Sequence, residues 1–153
     1  MSKAFTKEDS AEPPVVIRHR PPLPEGTPNY VTARGLQLLR AELATAEPGA
    51  RRTELEQRIG SAVVASPPAD RGEIRFGAHV TTRDDGGEVR RIQIVGVDEV
   101  DPAAGRIAFV APLARALLGG HVGDSVTVRT PGGAEELEIV AIEYDDTSDG
   151  SNP

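Results

Sequence analysis

Cysteine and tryptophan are absent from this 153-residue chain, methionine occurs once, and aromatic residues make up 3% of it. Without cysteine there can be no disulfide scaffold, no thiolate metal site and no cysteine catalysis, a composition that suits a reducing cytoplasm. With so few aromatics, the core must be aliphatic and modest. No apolar run approaches the roughly 18 residues of a spanning helix. The opening Met1 to Asp9 lacks the apolar region of a signal peptide, so the sequence predicts a soluble cytoplasmic protein with no membrane partner. The three histidines, His19, His79 and His121, share no ligand spacing, and no metal site, cofactor or catalytic residue is expected from them. Phosphate-cradling glycine motifs and nucleophile elbows are also missing.

Charge and proline are unevenly distributed. The segment up to Arg71 carries ten Lys and Arg against nine Asp and Glu, whereas the remainder carries seven against fifteen. An acidic second half repels a phosphate backbone and favours docking on a basic protein surface, so contact with nucleic acid is expected only through a partner. Six of the thirteen prolines fall within the first thirty residues, which predicts a mobile arm over residues 1–29.

Thr32 is a good N-cap, and Leu36, Leu39, Leu43 and Ala46 follow on one helical stripe up to the Pro48-Gly49 break. A second helical pattern over Arg51 to Gly60 places Leu55, Ile59 and Ala62 in line. The spacing predicts an antiparallel helical hairpin, or short coiled coil, over residues 30–62. Arg40, Glu42, Arg51, Arg52, Glu54, Glu56 and Arg58 should face outward. A linker over 63–72 leads into a period-two pattern over 73–145. Strands are expected at Ile74–Arg83, Val89–Val97, Arg106–Val110, Val126–Thr130 and Ala134–Tyr144, with a short helix at Pro112–Leu118 and a polar tail over 146–153. The fold class is therefore α+β. The paired acids Asp84-Asp85, Asp98-Glu99, Glu135-Glu136 and Asp145-Asp146 lie in loops or strands, where adjacent carboxylates are expected to face solvent.

The blocks Arg75-Phe76-Gly77-Ala78-His79-Val80-Thr81, Ile94-Val95-Gly96-Val97-Asp98-Glu99-Val100-Asp101, Gly105-Arg106-Ile107, Pro112 to Gly119, Val122-Gly123-Asp124 and Thr130-Pro131-Gly132-Gly133 resemble, in order and spacing, the C-terminal domain of the GreA/GreB transcript cleavage factors. Asn29 to Leu43 is similar to the start of that family's coiled coil. The resemblance implies an FKBP-like antiparallel β domain with one short helix, which grips the secondary-channel rim of bacterial RNA polymerase while the coil enters the channel. It places the polymerase-binding loop at Val110, Ala111, Pro112, Leu113 and Arg115. Family members often carry an acid and a serine just before this proline, where Val110 and Ala111 stand here.

The family's acidic coil tip, which helps hold a catalytic Mg²⁺ in the polymerase, has no match. A helix from Thr32 to Glu47 spans only about 24 Å, and its turn offers Glu47 beside Arg51 and Arg52. This shortened form is similar to the regulator of nucleoside diphosphate kinase. The resemblance therefore implies an elongation factor, not itself an enzyme, that modulates transcription without inducing cleavage; a monomer is expected. The alternatives are active stimulation of cleavage through Glu47 and, from another class, prolyl isomerase activity. The latter is weakened by having only Phe76, Phe109 and Tyr144 to line a pocket.

Overall fold

The structure, a computed structural model, describes residues 20–145; most of the expected arm and the expected tail lie outside them. Strand β1 (Asn29–Val31) leads into helix α1 (Ala33–Thr45); helix α2 (Ala50–Ser61) then leads into β2 (Ala62–Val64). Five further strands, β3 (His79–Asp84), β4 (Val89–Val95), β5 (Arg106–Ala108), β6 (Ser125–Thr130) and β7 (Gly133–Glu143), form one sheet in the order β5-β4-β3-β7-β6. Helix α3 (Pro112–Leu117) follows β5. The architecture is α+β.

α1 begins where the sequence places it. The Thr32 hydroxyl accepts the Gly35 N–H at 2.9 Å, satisfying one of the free amides of the first turn. The helix stops at Thr45, two residues short of the expected end, because Pro48-Gly49 follows and the chain turns extended at Ala46. Leu39 and Leu55 are buried, while Leu36, Leu43 and Ile59 are half-buried. Arg51 ties the two helices together, pairing with Glu42 at 2.7 Å and Glu54 at 3.1 Å.

β1 and β2 pair in parallel, with Asn29 opposite Ala62 and Val31 opposite Val64. Neither three-residue strand was expected; they take up the end of the arm and the start of the linker. The expected strand from Ile74 begins only at His79, since Glu73 to Ala78 form a bridge and turns. The sheet also departs from a purely antiparallel one, because β5 runs parallel to β4.

Ile74, Ala78, Val80, Ile92, Ile94 and Ile139 of the β domain pack with Ala114 and Leu117 of α3 in the core. Pro112 at the first helical position leaves no unsatisfied N–H there, and the two buried residues, three apart, seat the helix on the sheet. A bulge in β7 shifts the pairing from Thr81 with Ala141 to Thr82 with Ile139. The face away from the core carries the pairs Arg83–Glu138 and Arg91–Glu143, while Arg90, on the opposite face beyond the core, reaches Glu135.

Tyr144 closes the domain: its hydroxyl donates to the Glu73 carbonyl and accepts the Arg75 N–H at 2.8 Å. Burial pushes the phenol above its ordinary value of 10.0, and the Glu73 charge adds to the shift. The folded state thus holds a proton that the unfolded chain releases first. Stability from this group should be intact below pH 10.0 and lost as pH rises through the folded value. Urea midpoints between pH 8 and 11, compared with those of Tyr144→Phe, test this. An equally steep alkaline loss in the variant would assign the effect elsewhere.

Candidate interaction site

The expected polymerase-binding residues lie where β5 hands over to α3. The Ala111 N–H donates to the Ala108 carbonyl at 2.9 Å, and Arg115 N–H donates to the Ala111 carbonyl at 2.9 Å, so the loop is a rigid turn. Pro112 and Arg115 are exposed, Val110 and Ala111 are half-buried, and Leu113 packs partly on the core. Of the five, Pro112 and Arg115 offer the most accessible surface.

The expected tip residues sit at the opposite end of the helical pair. The Arg52 guanidinium donates to the Ala46 carbonyl at 3.1 Å and lies 3.5 Å from Glu56. Arg51 is held by two glutamates, the Glu42 hydrogen bond first among the causes that raise its pKa. Glu54 is held below its ordinary carboxylate value, chiefly by its bond from Arg51. Glu47 is exposed and makes no ion pair with a described residue. At about 1.5 Å per residue, the 13 residues of α1 span about 20 Å, shorter than the sequence estimate.

The feature that sequence reasoning missed joins these two regions. Asp98 and Glu99, expected to face solvent, have side chains only 4% and 3% exposed. Asp98 receives Arg20 at 2.7 Å and Arg58 at 2.8 Å. Glu99 receives the Thr32 hydroxyl at 2.5 Å and Arg34 at 2.9 Å. Arg58, expected to face outward, is therefore turned inward, where it also pairs with Glu54. Arg20, expected in a free arm, is pinned to the β domain. Thr32 accepts from Gly35 and donates to Glu99, so the cap of α1 is also part of the latch. A side chain at Gly35 would lie 2.9 Å from the Glu99 carboxylate, which explains the bare backbone there.

A second contact lies alongside. Tyr30 of β1 packs against Phe76 and Phe109 with ring centroids 5.8 and 5.6 Å away, and those two rings meet edge to face at 5.3 Å. Phe109 directly precedes the Val110–Arg115 loop, so the trio links the N-terminal unit mechanically to that loop. The three rings stay half-buried and line an open cavity of about 570 Å³, and Tyr144 is committed to Glu73 and Arg75.

The polar cleft between the helices and the β4–β5 loop measures about 600 Å³, with Arg20, Arg34, Arg51, Arg58 and Arg106 facing Glu42, Asp98, Glu99 and Asp101. These charges nearly cancel, so the cleft joins two parts of the protein and lacks the excess charge of an anion receptor. No helix among the described residues is long and apolar enough to cross a membrane.

The family model described as "Transcription elongation factor, GreA/GreB, C-term" matches residues 68–144. Transcription elongation factor GreB of Pseudomonas aeruginosa is 35% identical, the alignment covering 83% of this chain and 96% of that protein. GreA of Paracoccus denitrificans is 47% identical over 60% of this chain and 59% of its own length. GreB of Neisseria meningitidis serogroup B is 40% identical over 59% and 56%. The chain thus spans somewhat over half of the latter two relatives and nearly all of the first. A solved GreA/GreB elongation factor from Nitrosomonas europaea is 25% identical, covering 77% of this chain and 99% of that one with a TM-score of 0.46. By the family model and by the near-complete span of the Pseudomonas relative, this chain belongs to the GreA/GreB family of transcription elongation factors.

Proposed function

We propose that this protein docks at the secondary-channel rim of bacterial RNA polymerase and modulates elongation without inducing transcript cleavage. In this reading, residues 73–145 act as an FKBP-like docking domain and the helical pair acts as a short antiparallel hairpin. The tip geometry carries the reading. A second catalytic Mg²⁺ needs clustered hard oxygen donors, whereas the turn offers Glu47 alone beside Arg51 and Arg52, whose charges disfavour a divalent cation. The helices also extend only about 20 Å. Pro112 and Arg115, exposed on a rigid loop, supply the contact with the rim, and nucleic acid is reached only through the polymerase.

The decisive experiment follows RNA cleavage in backtracked elongation complexes with a limiting amount of an active cleavage factor. Added at about ten times its own Kd, this protein should slow cleavage about tenfold by occupying the site. Faster cleavage would assign the catalytic role to Glu47 and would be checked by its loss in Glu47→Ala. An unchanged rate together with no retention on immobilised polymerase at low salt would remove the docking reading.

A further inference from the structure

His121, Asp70 and Glu73 are far apart in the sequence, and no ligand spacing connects them. The fold brings them together: one donor atom from each lies within 4.8 Å of the other two. Their backbones are well fixed. Glu73 and His121 form an antiparallel bridge, reinforced by Ile74 N–H to the Gly120 carbonyl at 2.9 Å and Gly119 N–H to the Ile74 carbonyl at 2.8 Å. Tyr144 anchors the Glu73 carbonyl from β7, and Asp70 accepts the Gly72 N–H at 2.9 Å, which sets the turn presenting its carboxylate.

The donors face one another without satisfying one another. Neither the His121 ring nor the Glu73 carboxylate makes a hydrogen bond with a described residue, although His121 Nδ1 lies 3.9 Å from Asp124 and Glu73 lies 3.2 Å from the Arg75 Nε. One imidazole nitrogen and two carboxylates converging on a shared space are complementary to a divalent cation. We propose that Asp70, Glu73 and His121 form a binding site for a borderline divalent transition metal of the Zn²⁺ type.

The donor set decides the class of ion. Imidazole favours Zn²⁺ and its neighbours over Mg²⁺ and Ca²⁺, which prefer an all-oxygen shell. With metal–ligand bonds of about 2.0–2.2 Å, tetrahedral geometry needs donors about 3.4 Å apart. Side-chain rotations at these half-exposed and exposed residues can close the present separation, displacing Arg75 from Glu73. Water completes the shell, and Asp124 is the nearest additional carboxylate. Because Asp70 lies just beyond β2 and His121 just beyond α3, a bound ion would staple the connecting segment to the β domain.

This inference is independent of polymerase docking, and its test uses the full chain with the metal alone. Calorimetric titration with Zn²⁺ should show saturable 1:1 binding with a Kd in the micromolar range, accompanied by a rise in Tm. His121→Ala and Asp70→Asn should each weaken binding by more than about tenfold. Both replace exposed side chains, so metal-free Tm should change little, and circular dichroism checks the fold. Amide signals of residues 70–75 and 120–122 should shift on titration. Absence of binding at millimolar Zn²⁺ would overturn the proposal. Binding that survives His121→Ala would overturn it equally, because it would place the ion at His19 or His79.

Discussion

The double variant Thr32→Val, Arg34→Ala should lose about 3–5 kcal/mol of stability, far more than the sum expected for an exposed cap and a surface arginine. Both partners of Glu99 are removed, and Glu99 is 3% exposed. A carboxylate left in that position keeps its desolvation cost with nothing to offset it, and removal of one side of a buried pair is the most damaging way to break it. Substituting the acid instead is milder. In Glu99→Gln, Thr32 keeps its cap on Gly35, and Arg34, half exposed, turns to water, so about 1–2 kcal/mol is expected. Adding Glu99→Leu to the double variant should recover part of the loss, since an apolar group of similar size carries no stranded charge. Urea unfolding of the four proteins measures the series. A double variant within about 1 kcal/mol of the parent would mean that water reaches Glu99 and that the latch is decorative.

That asymmetry also explains what the sequence could and could not disclose. α1, the Asp84 to Gly87 turn and α3 were legible because their signals are local: a cap, a turn tetrad, a proline at a helix start and a pair of glycines after its end. β1 and β2 were not. Each is three residues long, and their parallel pairing joins segments separated by both helices, so no short window contains the pattern. The same holds for Asp98 and Glu99. Adjacent acids in a loop ordinarily face water, and only the arrival of Arg20, Thr32, Arg34 and Arg58 from distant parts of the chain makes their burial tolerable. Of the expected site residues, Pro112 and Arg115 stand exposed on one rigid turn, and Glu47, Arg51 and Arg52 lie at the far end of the helices. The latch between those ends is tertiary, and so is the convergence of His121 with Asp70 and Glu73.

Gly96→Ala should then separate the two ends of the molecule. A Cβ at this position would fall inside van der Waals contact with the Tyr30 carbonyl oxygen, which belongs to backbone and cannot swing aside. β1 must retreat, and with it the Tyr30 ring that packs on Phe76 and Phe109. The latch is strained at the same time, because Asp98 and Glu99 follow two and three residues after Gly96. The β domain keeps its own core, in which Ile74, Val80, Ile94, Leu117 and Ile139 are fully buried and to which no residue of α1 or α2 contributes. Hydrogen exchange should therefore accelerate by more than about tenfold in α1 and α2 while protection across β3, β4 and β7 persists. The functional consequence separates docking from action. The Val110–Arg115 loop remains intact, so retention on polymerase should survive, but the helical pair no longer has a fixed direction, and inhibition of a competing cleavage factor should fall. Loss of retention in parallel with inhibition would instead show that the helices contribute the main grip. Unchanged inhibition alongside accelerated exchange would show that occupancy of the rim is enough, with the orientation of the helical pair irrelevant to it.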